Sequence, residues 1–323
     1  MKRLAVLTSG GDAPGMNAAI RAVVHAGMAR GFAIHGIDHG FTGLINGNFR
    51  VLDVSDVDGI IQHAGTVLGT TRCEALRTES GCAAAIRTLK ENEISTLIVV
   101  GGNGSQTGAW ELARRGVSVI GIASTIDNDL FGTDISIGAT TAIDVVLEAI
   151  GRLRATAGSM RRAFLLEVMG RHCGYIALMA GIVGGAEAIV APEINWEPAR
   201  IMQTLFAAHT RGKSHAIVVV AEGASHNAQA LMNYFHDHAD ALQFELRATT
   251  LGHVQRGAAP GVFDRMLGIR LGVAAIEAAA VQHHGVLMGW RDGKPASTPL
   301  ADVANHARPA DGSLIDLAKV FAM

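Results

Sequence analysis

The sequence predicts an α/β fold built on parallel sheets, and three observations lead there. Short apolar runs alternate with amphipathic helical stretches along the whole chain, the pattern of strands joined by right-handed helical crossovers. The runs are nearly continuous in apolar residues, as strands buried on both faces are. Three of them end in glycine-rich or acidic loops, and ligands of open α/β sheets bind just outside the carboxyl ends of strands.

Leu4 to Leu7 reads as a strand running into Thr8-Ser9-Gly10-Gly11-Asp12-Ala13-Pro14-Gly15, with a helix from near Met16 to Arg30. Strand, glycine loop and helix aim backbone N–H groups and a helix N-terminus at an anion. A tight turn alone would also call for the glycines. The loop has neither the lysine of a Walker A motif nor GxGxxG spacing. Phe32 to Ile37 is a second strand, Asp38 to Arg50 an irregular hairpin, and Ser55 the cap of a short helix through His63. Gly65 to Arg72, with Arg77 beyond, places two arginines on a glycine- and threonine-rich loop suited to phosphate. Ile94 to Val100 is a strand feeding Gly101-Gly102-Asn103-Gly104-Ser105 and a helix from about Gln106 to Arg115. Val117 to Ile122 feeds Ser124-Thr125-Ile126-Asp127-Asn128-Asp129, where one carboxylate can accept a proton and the other hold a cation. Turn chemistry explains Asp-Asn-Asp by itself. It does not explain three such loops gathered on one sheet edge.

After Gly138 a long helix runs to about Thr156. Strands follow at Ala163 to Val168, Ile189 to Glu193, Ala216 to Ala221 and Phe244 to Thr249, with helices between them ending at Val183, Arg211 and about Asp240. The pair His236 and His238 has metal-binding spacing, which a solvated helix face explains better. A helix from Phe263 to about Gln282, a strand from Val286 to Trp290, a polar loop through Pro299 and a helix from Ile315 to Phe321 complete the chain.

With 323 residues the chain exceeds the usual single core, so one large or two medium domains are expected. Hydrophobic residues at 49% and charged ones at 17% mark a well-buried globular enzyme rather than a disordered chain. A net charge of −2 supplies no field for nucleic acid or anionic membrane, and 5% aromatics gives few base-stacking platforms. Cys73, Cys82 and Cys173 lack CxxC spacing, which argues against a disulfide framework or zinc site and fits the reducing cytosol. The first apolar run is too short for a signal peptide, and none reaches the ~18 residues of a membrane helix. A soluble, cytoplasmic protein is expected.

Four stretches resemble the 6-phosphofructokinase family, most closely its bacterial ATP-dependent type. They are Leu7 to Asn17, Thr125 to Asp129, Glu167-Val168-Met169-Gly170-Arg171, and Leu251-Gly252-His253-Val254-Gln255-Arg256-Gly257. The likeness runs in order along essentially the whole chain. It implies two lobes, each a mainly parallel sheet flanked by helices, with nucleotide on one lobe and sugar phosphate between them. Residues 1–138 with about 256–305 would form the nucleotide-binding lobe, and 139–255 with about 306–323 the sugar-phosphate-binding lobe. The implied reaction is Mg²⁺-dependent transfer of the ATP γ-phosphoryl to the 1-hydroxyl of fructose 6-phosphate, a glycolytic step, in a homotetramer.

By the same resemblance, Gly11 would donate its N–H to the nucleotide phosphates, and Arg72, Cys73 and Arg77 would meet phosphate and adenosine. Gly102, Asn103, Gly104, Ser105 and Gly108 would shape the nucleotide pocket. Asp127 would take the proton from the sugar hydroxyl, Thr125 steady the moving phosphoryl group and Arg171 face the developing charge. Asn103 and Asp129 would lie at the metal. Arg162 and Arg247 would reach across a subunit interface to the sugar 6-phosphate. His253 and Arg256 would contact that phosphate too, and Met169, Gly170 and Glu222 would contact the sugar. Arg21, Arg154, Glu187, Arg211, Lys213 and His215 would bind an effector, ADP or phosphoenolpyruvate. The chemistry is coherent: phosphoryl transfer is mostly positioning and charge stabilisation, and an ordinary carboxylate is ionised at neutral pH.

The sequence also departs from the family pattern. Asn103 stands where the family carries a metal-holding aspartate, and hard cations prefer charged oxygen ligands. A non-catalytic sugar-phosphate sensor or regulatory subunit therefore stays open beside the kinase. Gly104 and Ser124 stand where pyrophosphate-using relatives carry aspartate and lysine, so ATP is favoured over pyrophosphate. A kinase of a related sugar phosphate, such as tagatose or sedoheptulose phosphate, would share the same 6-phosphate contacts. Phe41 and Cys73 stand where bacterial members often carry larger or aromatic adenosine-pocket residues, which predicts loose nucleotide preference. His25, Val54 and Ser55 replace two arginines and a tyrosine, which predicts weakened effector control.

Overall fold

The computed structural model describes residues 2–194, 196–238 and 244–321. The strands, in chain order, are β1 (Arg3–Thr8), β2 (Ala33–Ile37), β3 (Phe49–Leu52), β4 (Ile94–Gly101), β5 (Val119–Ala123), β6 (Arg162–Val168), β7 (Ala188–Val190), β8 (Ala216–Ala221), β9 (Glu245–Thr250), β10 (Val286–Arg291) and β11 (Lys294–Pro299). The helices are α1 (Met16–Ala29), α2 (Gly40–Asn46), α3 (Glu79–Glu91), α4 (Asn103–Ala113), α5 (Ala139–Met160), α6 (Tyr175–Val183), α7 (Pro198–Thr210), α8 (Ala228–Asp237), α9 (Val262–Ala280), α10 (Leu300–Asn305) and α11 (Gly312–Phe321). These elements form two compact units, Met1–Thr141 with Arg256–Arg308, and Ala142–Gln255 with Pro309–Met323. Each is a mainly parallel sheet flanked by helices, the fold class the sequence predicts.

The first unit carries seven strands in the order β11-β10-β5-β4-β1-β2-β3. The inner five are parallel, and β3 and β11 run antiparallel on the two edges. From β1 the chain moves to β2 and β3, then returns to the other side of β1 for β4 and β5. That reversal makes a switch point between β1 and β4, where the sheet opens a crevice at its carboxyl edge. Behind it α1 and α9 pack at close range. A Cβ at Gly272 would lie 2.8 Å from the Ala19 carbonyl and 2.7 Å from the Ala22 Cβ. The fully buried carboxylate of Asp264 accepts from the Gly138 and Thr141 N–H groups, both at 2.8 Å, and from the Thr140 and Thr141 hydroxyls at 2.6 Å. It caps α5 from a distant part of the sequence, satisfying the donors that a helix start leaves open.

The second unit is a four-stranded, all-parallel sheet in the order β7-β8-β6-β9. Leu165, Val218 and Val220 on the strands pack with Leu205, Leu231 and Phe235 on the helices to form its core.

The structure corrects four expectations. The segment 38–50 is not an irregular hairpin: α2 lies within it, entered through left-handed His39 and closed by left-handed Gly47, and β3 then pairs with β2. Its glycines bound a short helix rather than a loop. The loop before Pro299 is instead β11, joined to β10 through Asp292 and Gly293, both at positive φ. Asp-Gly is the residue pair such hairpin turns need, and prolines are tolerated because β11 is an edge strand. The helix after β4 begins at Asn103 rather than Gln106, which puts Asn103, Gly104 and Ser105 in its first turn. The short helix expected through His63 is two 3₁₀ turns. Of the helix expected to reach Asp240, residues 239–240 lie outside the described ones.

Candidate active site

The loops after β1, β4 and β5 touch one another. A Cβ on Gly10 would sit 3.0 Å from Ser105 Oγ, one on Gly101 would sit 2.6 Å from the Ser9 carbonyl, and one on Gly102 would sit 3.1 Å from Thr125 Cβ. Glycine at these positions is what lets the loops close on each other. Gln106, fully buried, fixes the arrangement: its Nε2 reaches the carbonyls of Gly101 at 2.9 Å, Val99 at 3.2 Å and Ile122 at 3.3 Å. The first turn of α4 therefore points its N–H groups and positive dipole end into the crevice.

The segment 65–72 is pinned alongside. Thr8 Oγ1 donates to the Gly69 carbonyl at 2.8 Å and lies 2.9 Å from Thr66 Oγ1, while Thr70 Oγ1 donates to the Gly10 carbonyl at 2.8 Å. This leaves Cys73 half-buried and Arg72 exposed next to the loop. Arg77 is turned to Glu74 in a surface pair of 3.3 Å. Gly108 is a packing glycine: a Cβ there would lie 2.8 Å from Leu76 and 3.0 Å from Phe41. At Gly104 a Cβ would meet no atom within 4 Å.

The acidic loop is held by Asn128, which sits at positive φ. Its amide oxygen accepts from Ser136 N at 2.9 Å, its nitrogen donates to the Asp134 carbonyl at 3.2 Å, and Ser136 Oγ donates to the Thr125 carbonyl at 2.7 Å. Asp127, only 4% exposed, donates its backbone N–H to the Thr125 hydroxyl oxygen, 3.2 Å away. Asn103 Nδ2 donates to the Asp129 carbonyl at 3.3 Å, so these two residues are neighbours. Arg256, 8% exposed, crosses the first loop and donates from Nη1 to the Asp12 carbonyl at 2.5 Å. A Cβ at Gly11 would lie 2.6 Å from that guanidinium nitrogen. The arginine expected at the sugar phosphate is thus seated, in this structure, on the glycine loop.

In the second unit the expected sugar-phosphate residues fall into two groups. Met169, Gly170 and Arg171 leave the carboxyl end of β6, and Glu222 leaves that of β8. Glu222 accepts from the Gly170 and Arg171 N–H groups at 3.3 and 2.9 Å, and buried Gln255 accepts from Met169 N at 3.3 Å. Arg171 and His253 are exposed. Arg162 opens β6 at its other end, with Arg247 beside it on β9.

Of the expected effector residues, Arg154, Glu187 and Lys213 surround the turn at 184–187. Arg154 donates to the Gly184 and Gly185 carbonyls, and Lys213 Nζ meets Glu187 Oε1 at 2.8 Å. Arg211 follows α7, His215 stands beside Ser214, and Arg21 lies on α1 in the first unit. Gln106 and Ser136 had no sequence signal beyond their place near a motif, and Gln255 none beyond its place inside one. Among the described residues no cluster of three metal-binding side chains exists, and His238 instead stacks on Tyr234.

A parallel sheet whose glycine loops, helix N-terminus and buried carboxylate meet at the strand-order switch defines an α/β protein shaped to hold a phosphorylated ligand. Residues 3–279 match the family described as Phosphofructokinase. The chain belongs to the phosphofructokinase family. It is 46% identical to ATP-dependent 6-phosphofructokinase 1 of Thermus thermophilus and 44% identical to ATP-dependent 6-phosphofructokinase of Thermotoga neapolitana, each across 100% of both chains. The solved phosphofructokinase of Saccharomyces cerevisiae matches at 33% identity with a TM-score of 0.85, covering 100% of this chain; the chain spans 47% of the yeast one. A pyrophosphate-dependent phosphofructokinase of Marinobacter aquaeolei, at 22% identity and a TM-score of 0.84 over 100% of this chain and 92% of its own, shares the fold.

Proposed function

We propose that this chain transfers the γ-phosphoryl group of ATP to the 1-hydroxyl of fructose 6-phosphate, giving fructose 1,6-bisphosphate in glycolysis. The carrying observation is the buried Thr125–Asp127 loop in contact with the glycine-rich start of α4. Full-length relatives named for this activity support the substrate and the donor. The open space at Gly104 leaves room for a nucleotide beyond its terminal phosphates.

In this reading the first unit binds the nucleotide. Gly11, Gly102, Gly104 and Ser105 offer backbone donors to the phosphates, with Arg72 and Cys73 at the rim. Asp127 accepts the hydroxyl proton as the bond to phosphorus forms. Its loop is locked by Asn128 and Ser136, so the base needs no reorganisation. Thr125 steadies the moving group. The donor set fits Mg²⁺, which takes one or two carboxylates and fills the rest with water and phosphate oxygens. Asp129 would supply the carboxylate. Asn103, its nitrogen engaged by the Asp129 carbonyl, has its amide oxygen left to supply. Bound there, the ion would neutralise charge on the phosphates.

The second unit supplies Arg171, Met169, Gly170, Glu222 and His253 to the sugar phosphate. Arg162 cannot join them within one chain: β6 is 7 residues long, so its ends lie about 20 Å apart. That separation supports a homo-oligomer, a tetramer in this reading, in which a second copy's arginines complete the site. No described helix is long and apolar enough to cross a membrane, and we place the protein in the cytoplasm.

The test is fructose 1,6-bisphosphate formation with ATP and with pyrophosphate across a Mg²⁺ titration. Turnover with ATP alone is expected. Asp127→Ser should cut that turnover by at least ~100-fold while leaving sugar-phosphate affinity nearly intact. Turnover with pyrophosphate alone would overturn the donor, and an unchanged rate in the variant would remove Asp127 as the base.

A further inference from the structure

Strand β9 pairs with β6 so that Glu245 lies opposite Arg162 and Arg247 opposite Phe164. Glu245 and Arg247, two residues apart on one strand, share a sheet face. Arg162 Nε donates to Glu245 Oε2 at 2.7 Å, and Arg247 Nη2 pairs with Glu245 Oε1. One carboxylate therefore bridges the two guanidinium groups. Its two oxygens offer what two oxygens of a phosphate would offer to the same forks. The site is accessible, with side-chain exposures of 22% for Arg162, 44% for Glu245 and 52% for Arg247. An incoming anion can reach it.

We propose that Glu245 is a built-in stand-in for the sugar phosphate, occupying the Arg162–Arg247 pair until substrate arrives and setting sugar-phosphate affinity by competing with it. The inference rests on the reading of those two arginines as 6-phosphate contacts. Both guanidinium groups pull the Glu245 carboxyl below the ordinary glutamate range, Arg162 most, so the competitor is ionised at neutral pH, as the sugar phosphate is. Being exposed, the two pairs are weak. Releasing them should shift affinity only modestly, which suits an occupant that must leave on every turnover.

Glu245→Gln keeps the shape and removes the charge. It is expected to lower the half-saturating fructose 6-phosphate concentration about two- to fivefold, with kcat and the KM for ATP unchanged. Inorganic phosphate, competing at the same arginines, should inhibit more strongly by a similar factor. Glu245→Asp, which keeps the charge, should stay near the parent value. A purely positioning role predicts the opposite sign, because arginines no longer held in place would bind the sugar phosphate less well. An unchanged or raised half-saturation in Glu245→Gln overturns the proposal. Arg162→Gln and Arg247→Gln are measured alongside. If they raise the half-saturation while Glu245→Gln does not lower it, only the competitor idea fails. If neither arginine variant changes it, the 6-phosphate reading fails, and the Glu245 proposal falls with it.

Discussion

Asn103 and Asp129 lie side by side at the start of α4, joined by one hydrogen bond of 3.3 Å. A carboxylate at 103 would add a full negative charge beside Asp129, and hard cations bind such oxygens more tightly than amide oxygens. Asn103→Asp should therefore lower the Mg²⁺ concentration for half-maximal activity by about tenfold; an unaltered Mg²⁺ profile would place the residue away from the cation. Much of the site could be read from single residues, because glycines before a helix and acids after a buried strand have local physical reasons to be there. The Gly11–Arg256 contact could not. Each residue stands in a visible motif, but nothing local says that the guanidinium fills the space a Cβ at Gly11 would need. Glu245 was equally hidden, since Glu-x-Arg on a strand reads as a solvated face until the register with Arg162 is known.

The helix α1 owes its position to α9, and that contact was not legible because both helices use small residues in place of a recognisable apolar stripe. The backbone oxygen of Ala19 is 2.8 Å from where a Gly272 Cβ would be, so a large side chain must push α1 and its glycine loop outward. Gly272→Leu should destabilise the fold by about 1–3 kcal/mol, read as a lower urea midpoint, and should raise the KM for ATP in parallel. A midpoint at or above the parent value would contradict this packing. The strands β1, β4 and β5 were legible for the converse reason, being continuous apolar runs with one physical interpretation. Strand β11 was missed because two prolines outweighed the Asp292-Gly293 turn signal, and α2 because its bounding glycines looked like loop residues.

For the whole molecule, acid stability should fall in two stages. Burial holds His35 and His284 below the ordinary value of 6.5, helped by Arg3 in one case and His283 in the other. The folded chain keeps them neutral where the unfolded chain takes up protons, so stability declines as pH falls below 6.5, down to their depressed folded values. Carboxylates held low by arginines act later: Glu245 by Arg162, Glu79 by Arg115 and Glu111 by Arg114. Their contribution, present above 4.5, is lost as pH falls below it through their own depressed values. Urea midpoints across this range should show both stages. His35→Gln with His284→Gln should flatten the upper one and leave the lower. A parent midpoint that stays constant from about pH 7 to 5 would refute the histidine contribution.

The first unit is discontinuous in sequence, and this bears on how the chain is made. Residues Ala142–Gln255, most of the second unit, leave the ribosome before Arg256–Arg308 has been translated. Until then the sheet of the first unit lacks β10 and β11, α1 has no α9 to cover it, and the glycine loop has no Arg256. Domains fold as units once their residues are available, so the first unit, begun first, must wait while most of the second is made, and the second is itself completed only by Pro309–Met323. The crevice between β1 and β4, whose first loop precedes the whole of the second unit, is finished only when Arg256 and α9 arrive.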